Sequence, residues 1–528
     1  MKSAADLGVP ERFNAASHFI DRHLREGRTD KIAIECGDER ITFGQLFDRV
    51  NRCGRGLRDA LGVQRGDRIV LLLLDGPAFF YAFFGAIKIG AVPIPINTSW
   101  TTADCRYVLN DSGARVLMVD ESLKPRVDAI PRTDLPALEH VVTIDQGGSF
   151  AGFLAHASPA LDAAPTRRDD PAFWLYSSGS TGAPKGCVHL QHDMVVCSEV
   201  FAKAVLGIRE SDRMFSVPKL FFAYGLGNAG YFPLAVGATS ILWPGPPAAA
   251  DVYRVIERHK PTLFFFVPTG FGIMLATPGS FDLSSVRLAV SAGEALPAML
   301  YTRFKERFGI DILDGIGSTE ALHMFISNRP GAIRPGSSGL LLDGYDAAIL
   351  DERKRPVASG EIGDLYIRGD SICSEYWNQP EKTRQTIEDG WLRTGDKYTI
   401  DADGFYWYAG RGDDMLKVGG LWVSPIEVEN ALLGHDVVQE CAVVACCDAD
   451  GLTKPLAFVV VREGLAGSPE LAADLRAFVQ SKLAHYKRPR WIEFRDALPK
   501  TATGKIQRFK LRAEAAATPH ELPHRTTS

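Results

Sequence analysis

Short apolar runs, many of them β-branched, recur along the first two thirds of the chain, separated by segments with the spacing of amphipathic helices. Ile69–Leu74, Val92–Ile96, Val116–Val119, Val141–Ile144 and Leu263–Val267 are such runs. Their length suits strands buried on both faces, and their alternation with helices predicts a layered α/β architecture with largely parallel sheets. Near the N-terminus, Arg40–Leu46 and the amphipathic stretch to Leu61 read as strand, turn and helix, with Thr42 as N-cap. Phe173-Trp174-Leu175-Tyr176 reads as a buried strand feeding a polar loop, and Ser240–Trp243 as another. Beyond Leu341 the strands crowd together, as in Asp346–Leu350 and Asp364–Ile367, with Gly, Asp and Pro between them. That texture predicts a β-rich subdomain. Gly404–Gly410 reads as its last strand, and the polar run Arg411-Gly412-Asp413-Asp414 as a hinge.

A length of 528 residues exceeds one ordinary core, so two or more domains are expected. Leu220–Ala250 carries no charged side chain and is long enough to cross a bilayer, but five glycines and Pro233, Pro244, Pro246 and Pro247 break it. No membrane span is expected. The formal charge of −5 gives no reason to expect nucleic acid or an anionic membrane as partner. Residues 1–14 lack a basic stretch followed by an apolar run, so no signal peptide is expected. Nine cysteines without a C-x-x-C pair suit a reducing, cytoplasmic setting.

The densest chemistry lies in Ser177-Ser178-Gly179-Ser180-Thr181-Gly182-Ala183-Pro184-Lys185-Gly186. Glycines let backbone N–H groups face an anion, and hydroxyls and one lysine add donors and charge, as phosphate binding requires. A Walker A loop is excluded, because Lys185 follows Pro184 and precedes Gly186. Gly225-Leu226-Gly227-Asn228-Ala229-Gly230 spells a dinucleotide fingerprint, with Asp251 about 20 residues beyond. An NAD-dependent enzyme is set aside because Pro233, Gly237 and Pro244 are expected to leave no room for a crossover helix.

Together with Pro499-Lys500-Thr501-Ala502-Thr503-Gly504-Lys505, the Gly-rich run resembles the adenylate-forming superfamily of acyl-CoA synthetases, aryl-CoA ligases, luciferases and peptide-synthetase adenylation domains. Further motifs follow in that superfamily's order: Ser291-Ala292-Gly293-Glu294, Asp314-Gly315-Ile316-Gly317-Ser318-Thr319-Glu320, Gly360–Leu365, Trp391–Asp396 and Gly410–Asp414. The resemblance implies an N-terminal AMP-binding domain over 1–412 and a small, mobile α+β domain over 413–528, hinged at Asp413. It also implies two steps. A carboxylate attacks the α-phosphate of ATP to give an acyl-adenylate and pyrophosphate, and the thiol of coenzyme A then displaces AMP.

By the same resemblance, Lys505 bridges the substrate carboxylate and α-phosphate, Thr319 donates to that phosphate, and Glu320 holds magnesium (Mg2+). The competing reading of Glu320 is an exposed residue capping a helix that begins at Ala321. Ser177, Ser178, Gly179, Ser180, Thr181, Gly182 and Lys185 cradle phosphate; Gly293, Glu294, Asp314, Gly315 and Ile316 lie along adenine. Asp396 accepts from the ribose hydroxyls, Arg411 adds a donor, and Gly419-Gly420 reaches the site for the thioester step. Ile316 stands where many relatives have an aromatic residue.

Pro218–Gly225 resembles the acyl-pocket segment of aryl-CoA ligases, most of all benzoate-CoA ligases. Phe222, Ala223, Tyr224, Ala292, Gly315, Gly317, Leu322 and His323 are then the pocket residues, with the two glycines expected to open a flat slot. His323 either packs against the ring or bonds a hydroxyl or amino substituent, so substituted benzoates, cyclohexanecarboxylate and medium-chain acids stay open. The implied partners are a small aromatic carboxylic acid, ATP and coenzyme A. A homodimer and a lysine acyltransferase acting on Lys505 are further alternatives.

Overall fold

The computed structural model describes residues 2–145, 147–177, 184–412, 414–418, 421–448, 452–500 and 506–517. The expected α/β layering is present. A nine-stranded sheet runs in the order Leu340–Leu341, Met324–Ser327, Ile312–Gly317, Leu288–Ser291, Leu263–Phe266, Arg213–Ser216, Thr239–Leu242, Ile32–Cys36, Glu39–Thr42. From Ile312–Gly317 to Ile32–Cys36 the neighbours are parallel, and the outer strands close antiparallel. A second sheet, wholly parallel, has the order Val92–Pro95, Arg68–Leu72, Val116–Asp120, His140–Ile144. Every strand of this second sheet was marked by an apolar run: Arg68–Leu72, Val92–Pro95 and Val116–Asp120 are buried at nearly every position, as strands covered on both faces are, whereas the edge strand His140–Ile144 leaves Val141 exposed.

Thr42 caps the helix Phe43–Arg55 as expected: its hydroxyl accepts from Gln45 N while the Gln45 side chain accepts from Thr42 N. The expectation for Gly225–Gly230 needs correcting. A crossover helix does exist, running through Ala223–Gly225, Leu226–Tyr231 and Phe232–Val236 between the strands Arg213–Ser216 and Thr239–Leu242. Pro233 is accommodated because it sits at the first turn of its last segment. The glycines are nevertheless no phosphate loop. They lie inside the helix, where a Cβ on Gly225 would come 2.1 Å from Lys219 O and one on Gly227 would come 2.4 Å from the His323 ring.

The β-rich part is a sheet of Asp346–Leu350, Gly363–Arg368, Trp391–Ile400 and Ile387–Glu388, with Tyr406–Arg411 paired to Trp391–Ile400. Beyond it, Val438–Cys447, Thr453–Val461 and Trp491–Phe494 form a small sheet flanked by the helices Pro425–Leu433, Pro469–Lys482 and Arg508–Ala517. This C-terminal part has its own core, in which Leu416, Val428, Leu432, Leu475 and Val479 pack together. No helix among the described residues is long and apolar enough to cross a membrane.

Candidate active site

The carboxyl ends of parallel strands are where open α/β sheets gather ligands, and two motifs lie there: Ser291–Glu294 at the end of Leu288–Ser291, and Asp314–Gly317 at the end of Ile312–Gly317. Strands Pro171–Ser177 and Lys185–Leu190 pair antiparallel, with Ser177 opposite Lys185. The two residues flanking the Gly-rich run are therefore side by side. Ser178, Gly179, Ser180, Thr181 and Gly182 lie outside the described residues, as do Asp413, Gly419, Gly420 and Lys505.

The strand Glu375–Tyr376 adds to the same hairpin, with Tyr376 opposite Cys187. It places the Tyr376 ring 4.6 Å from Lys185 Nζ and its hydroxyl 2.8 Å from Glu320 Oε1. Ser177 Oγ donates to the same oxygen at 3.2 Å. Burial, with the Glu320 charge beside it, pushes the Tyr376 phenol well up, so it stays protonated and donates. Sequence reasoning missed Tyr376, whose signal was one aromatic residue in an irregular stretch. Only the strand pairing brings it to the site.

No helix begins at Ala321. Ser318–Leu322 is a turn, Glu320 is partly buried in it, and Leu322 adopts φ 66° before the strand Met324–Ser327 starts. The capping reading of Glu320 therefore falls, because the chain turns back into an antiparallel hairpin with Ile312–Gly317 instead. A carboxylate is a hard oxygen ligand of the kind magnesium takes, usually one or two at a time beside substrate phosphates. Among the described residues no group of three His, Cys, Asp or Glu side chains could cage a metal.

Gly315 and Gly317 are explained by that hairpin. A Cβ on Gly315 would lie 2.7 Å from Ile326 O, and one on Gly317 would lie 2.5 Å from His323 O. Their consequence is close strand approach, and the backbone of the returning chain fills the space a Cβ would need. Ile316 packs as a partly buried aliphatic residue against the main core. Gly293 takes φ 90°, a conformation open to glycine, and Glu294 beside it accepts from Thr269 Oγ1 at 2.9 Å.

Asp314 is buried, and its Oδ2 accepts from Leu296 N at 3.2 Å. Burial pushes its carboxyl up from 3.8 to about 8. Between these values the folded protein keeps a proton that the unfolded chain has lost, so stability falls as pH rises through the window. Asparagine mimics the neutral acid. Asp314→Asn is expected to flatten this slope, gaining stability over wild type at pH near 8 relative to pH near 5 in urea unfolding.

Asp396 and Arg411 are cross-strand partners, and Arg411 Nη1 donates to Asp396 Oδ1 at 3.1 Å. Tyr398, whose phenol is held protonated by burial and by the charge of Asp396, bonds Ser338 Oγ at 2.9 Å. Adjacent Ser337 O accepts from Asn328 Nδ2 at 2.8 Å, and the same amide donates to Asp314 O at 3.1 Å. A buried polar chain thus joins the β-rich sheet to the end of the large one.

Tyr224 and His323, two of the residues expected at the acyl pocket, lie in an aromatic group. His323 is 2 % exposed and lies among Phe232, Phe201 and Tyr224, with ring centroids at 4.6, 5.2 and 5.6 Å. One ring nitrogen, Nε2, is 3.1 Å from Asn228 Oδ1, another partner that the sequence did not single out. Burial lowers the imidazole from 6.5 to about 3, so it is neutral over the working pH range. Tyr224 donates to Val290 O at 3.0 Å, tying the ring to the strand that leads to the buried Ala292. Phe222 stands at the N-terminus of the crossover helix and packs on Phe221 at 4.4 Å, next to Ala223. Lys219 anchors this segment by donating to Trp243 O at 2.6 Å and Gly245 O at 2.7 Å.

Nucleotide motifs at strand ends, a hydroxyl-bound carboxylate and an adjoining aromatic group are the parts of an acid-activating site. The chain belongs to the AMP-binding enzyme family, whose model matches residues 20–377, and the family's C-terminal domain matches residues 427–505. It is 51 % identical over 512 residues to a benzoate–CoA ligase of Thauera aromatica, covering 96 % of this chain and 97 % of the relative. Identity to a 4-hydroxybenzoate–CoA/benzoate–CoA ligase of Rhodopseudomonas palustris is 44 %, covering 95 % of this chain and 94 % of that one. In three dimensions it is similar to an anthranilate CoA ligase in complex with anthranoyl-AMP, with a TM-score of 0.93, 46 % identity and coverage of 98 % and 99 % of the two chains.

Proposed function

We propose that this protein joins benzoate to coenzyme A, using ATP and passing through benzoyl-adenylate, to give benzoyl-CoA, AMP and pyrophosphate. The observation that carries the choice of acid is the aromatic group of Tyr224, His323, Phe201 and Phe232. Rings meet rings edge-on or offset with favourable electrostatics, and a neutral imidazole adds no charge that a benzoate ring would have to offset. A second reading, a hydroxy- or aminobenzoate, is favoured by the polar pair His323–Asn228 and by the acids that the Rhodopseudomonas palustris and anthranilate relatives take.

In this proposal Lys505, Thr319 and Glu320 act on the reacting phosphate, with Glu320 holding magnesium. Magnesium would neutralise phosphate charge. Glu320 would be its protein ligand, held in place by Ser177 and Tyr376. Asp396 receives the ribose hydroxyls, kept in orientation by Arg411. The domains are proposed as 1–412 and 413–528. For coenzyme A, Lys487 is already engaged with both oxygens of Glu427 at 2.7 Å. Burial lowers the Arg476 guanidinium, and the charges of the remaining arginines, Arg488 and Arg490, lie close enough to add to that shift. Such a like-charged group gains by meeting phosphate. All nine cysteines are free thiols, in keeping with a reducing cytoplasm.

The test is AMP release with ATP, magnesium and coenzyme A across benzoate, hydroxy- and aminobenzoates, cyclohexanecarboxylate, hexanoate and acetate. Fast turnover confined to small aromatic acids is expected, with benzoate the most efficient. Preference for the aliphatic acids would discard the aromatic pocket while keeping the adenylation chemistry.

A further inference from the structure

The turn that bears Thr319 and Glu320 is held by its carbonyls, one by His189 and two by the segment Ser371–Cys373. Thr319 O lies 2.9 Å from His189 Nε2, Glu320 O accepts from Cys373 N at 2.7 Å, and Ala321 O accepts from Ser371 Oγ at 2.8 Å. The turn ends at Leu322 with φ 66°, a conformation a leucine keeps only when its surroundings impose it.

Of these supports, His189 is the one built as a device. Both it and Asp193 are 0 % exposed, and His189 Nδ1 lies 2.8 Å from Asp193 Oδ2. The same carboxylate oxygen accepts from Leu190 N at 3.1 Å, and the imidazole stacks on Phe173 with centroids 5.2 Å apart. A carbonyl can only accept, so Nε2 carries a hydrogen, and Nδ1 faces the carboxylate. Asp193, itself held by Leu190 N and with His192 Nε2 3.3 Å from its other oxygen, thus orients the ring, and the ring's Nε2 goes to the carbonyl between Thr319 and Glu320. A peptide unit is planar. Holding Thr319 O therefore also fixes Glu320 N–H and the directions from which both side chains depart.

We propose that His189, oriented by Asp193, is a positioning residue for the adenylation step: it aims the Thr319 hydroxyl and the Glu320 carboxylate by clamping the peptide between them. The proposal rests on the roles given to those two residues above. A histidine that merely filled the core would have no reason to affect one half-reaction more than the other. This one acts on the group that meets ATP, and it does not touch the aromatic pocket residues.

The experiment compares wild type, His189→Ala, His189→Gln and Asp193→Asn at equal concentrations of folded protein. Glutamine can place an amide N–H where Nε2 stands and donate to the same carbonyl. Acid-dependent ATP–pyrophosphate exchange reports adenylation, and thioester formation from supplied acyl-adenylate reports the second step. For His189→Ala we expect kcat of exchange to fall about 30- to 100-fold, as for a misplacement of reacting groups. KM for the acid should stay within about threefold, and thioester formation within about fivefold. His189→Gln should recover exchange to within about fivefold, and Asp193→Asn should show a milder loss of the same pattern. Equal behaviour of the Ala and Gln variants, or equal losses in both half-reactions, would overturn the proposal. Wild-type exchange with benzoate separately reads the assignment of the acid, and the variant ratios are taken with whichever acid supports exchange.

Discussion

Lys505→Ala is expected to abolish nearly all benzoate-dependent ATP–pyrophosphate exchange, a loss of about 10³-fold, while supplied benzoyl-adenylate is still converted to thioester at close to the wild-type rate. The difference between the two half-reactions follows from where charge develops. Attack of a carboxylate on the α-phosphate brings two anions together, and a cation aimed at that point stabilises the transition state more than the ground state. Displacement of AMP by a thiol brings no second anionic oxygen to phosphorus. Lys505 lies outside the described residues, but Lys500 and Ile506 on either side of its motif pair antiparallel, and Lys500 is ion-paired with Glu440 at 2.7 Å. Lys500 is thereby tied to the C-terminal sheet at Val438–Cys447. Equal loss of both half-reactions would refute the division of labour.

The second large effect is expected at Glu320. Glu320→Gln keeps an oxygen to accept from Ser177 and Tyr376, which bond Oε1 at 3.2 and 2.8 Å, and removes only the charge. Adenylation should fall on the order of 10²-fold, with an increased magnesium concentration for half-maximal rate and a melting temperature close to wild type. Glu320→Ala, by contrast, leaves two hydroxyls without their acceptor, so its loss of activity should come with loss of stability. If the glutamine variant needed no more magnesium than wild type, the metal role would be wrong even if the rate fell.

The parts of this molecule that were legible in the sequence are those that one segment decides alone. Apolar runs marked strands such as Arg68–Leu72, Val116–Asp120 and Leu263–Phe266 because burial on both faces leaves few polar positions, whereas Ile32–Cys36, Arg213–Ser216 and Ile312–Gly317, which carry charged residues, were not marked. Thr42 announced the helix at Phe43–Arg55 because an N-cap is local chemistry, and the structure adds Gln45 as its partner in a capping box. Parts that depend on two distant segments were not legible. Tyr376 reaches Glu320 only through the pairing of Glu375–Tyr376 with Lys185–Leu190. Asn228 meets His323 only because a helix carrying Pro233 and three glycines crosses over the sheet, which the breaker residues had argued against. Gly315 and Gly317 suggested room for a ring, whereas the space a Cβ would need is filled by the backbone of the returning strand.

The most direct test of the central claim is a rapid-quench experiment in two stages. Enzyme in excess over ATP is first mixed with benzoate and magnesium without coenzyme A, and the products are resolved after quenching. Close to one benzoyl-adenylate and one pyrophosphate per ATP supplied are expected, and addition of coenzyme A should then convert the adenylate into equal amounts of benzoyl-CoA and AMP. Formation of benzoyl-CoA with ADP and phosphate, or without any adenylate before coenzyme A is added, would contradict the account.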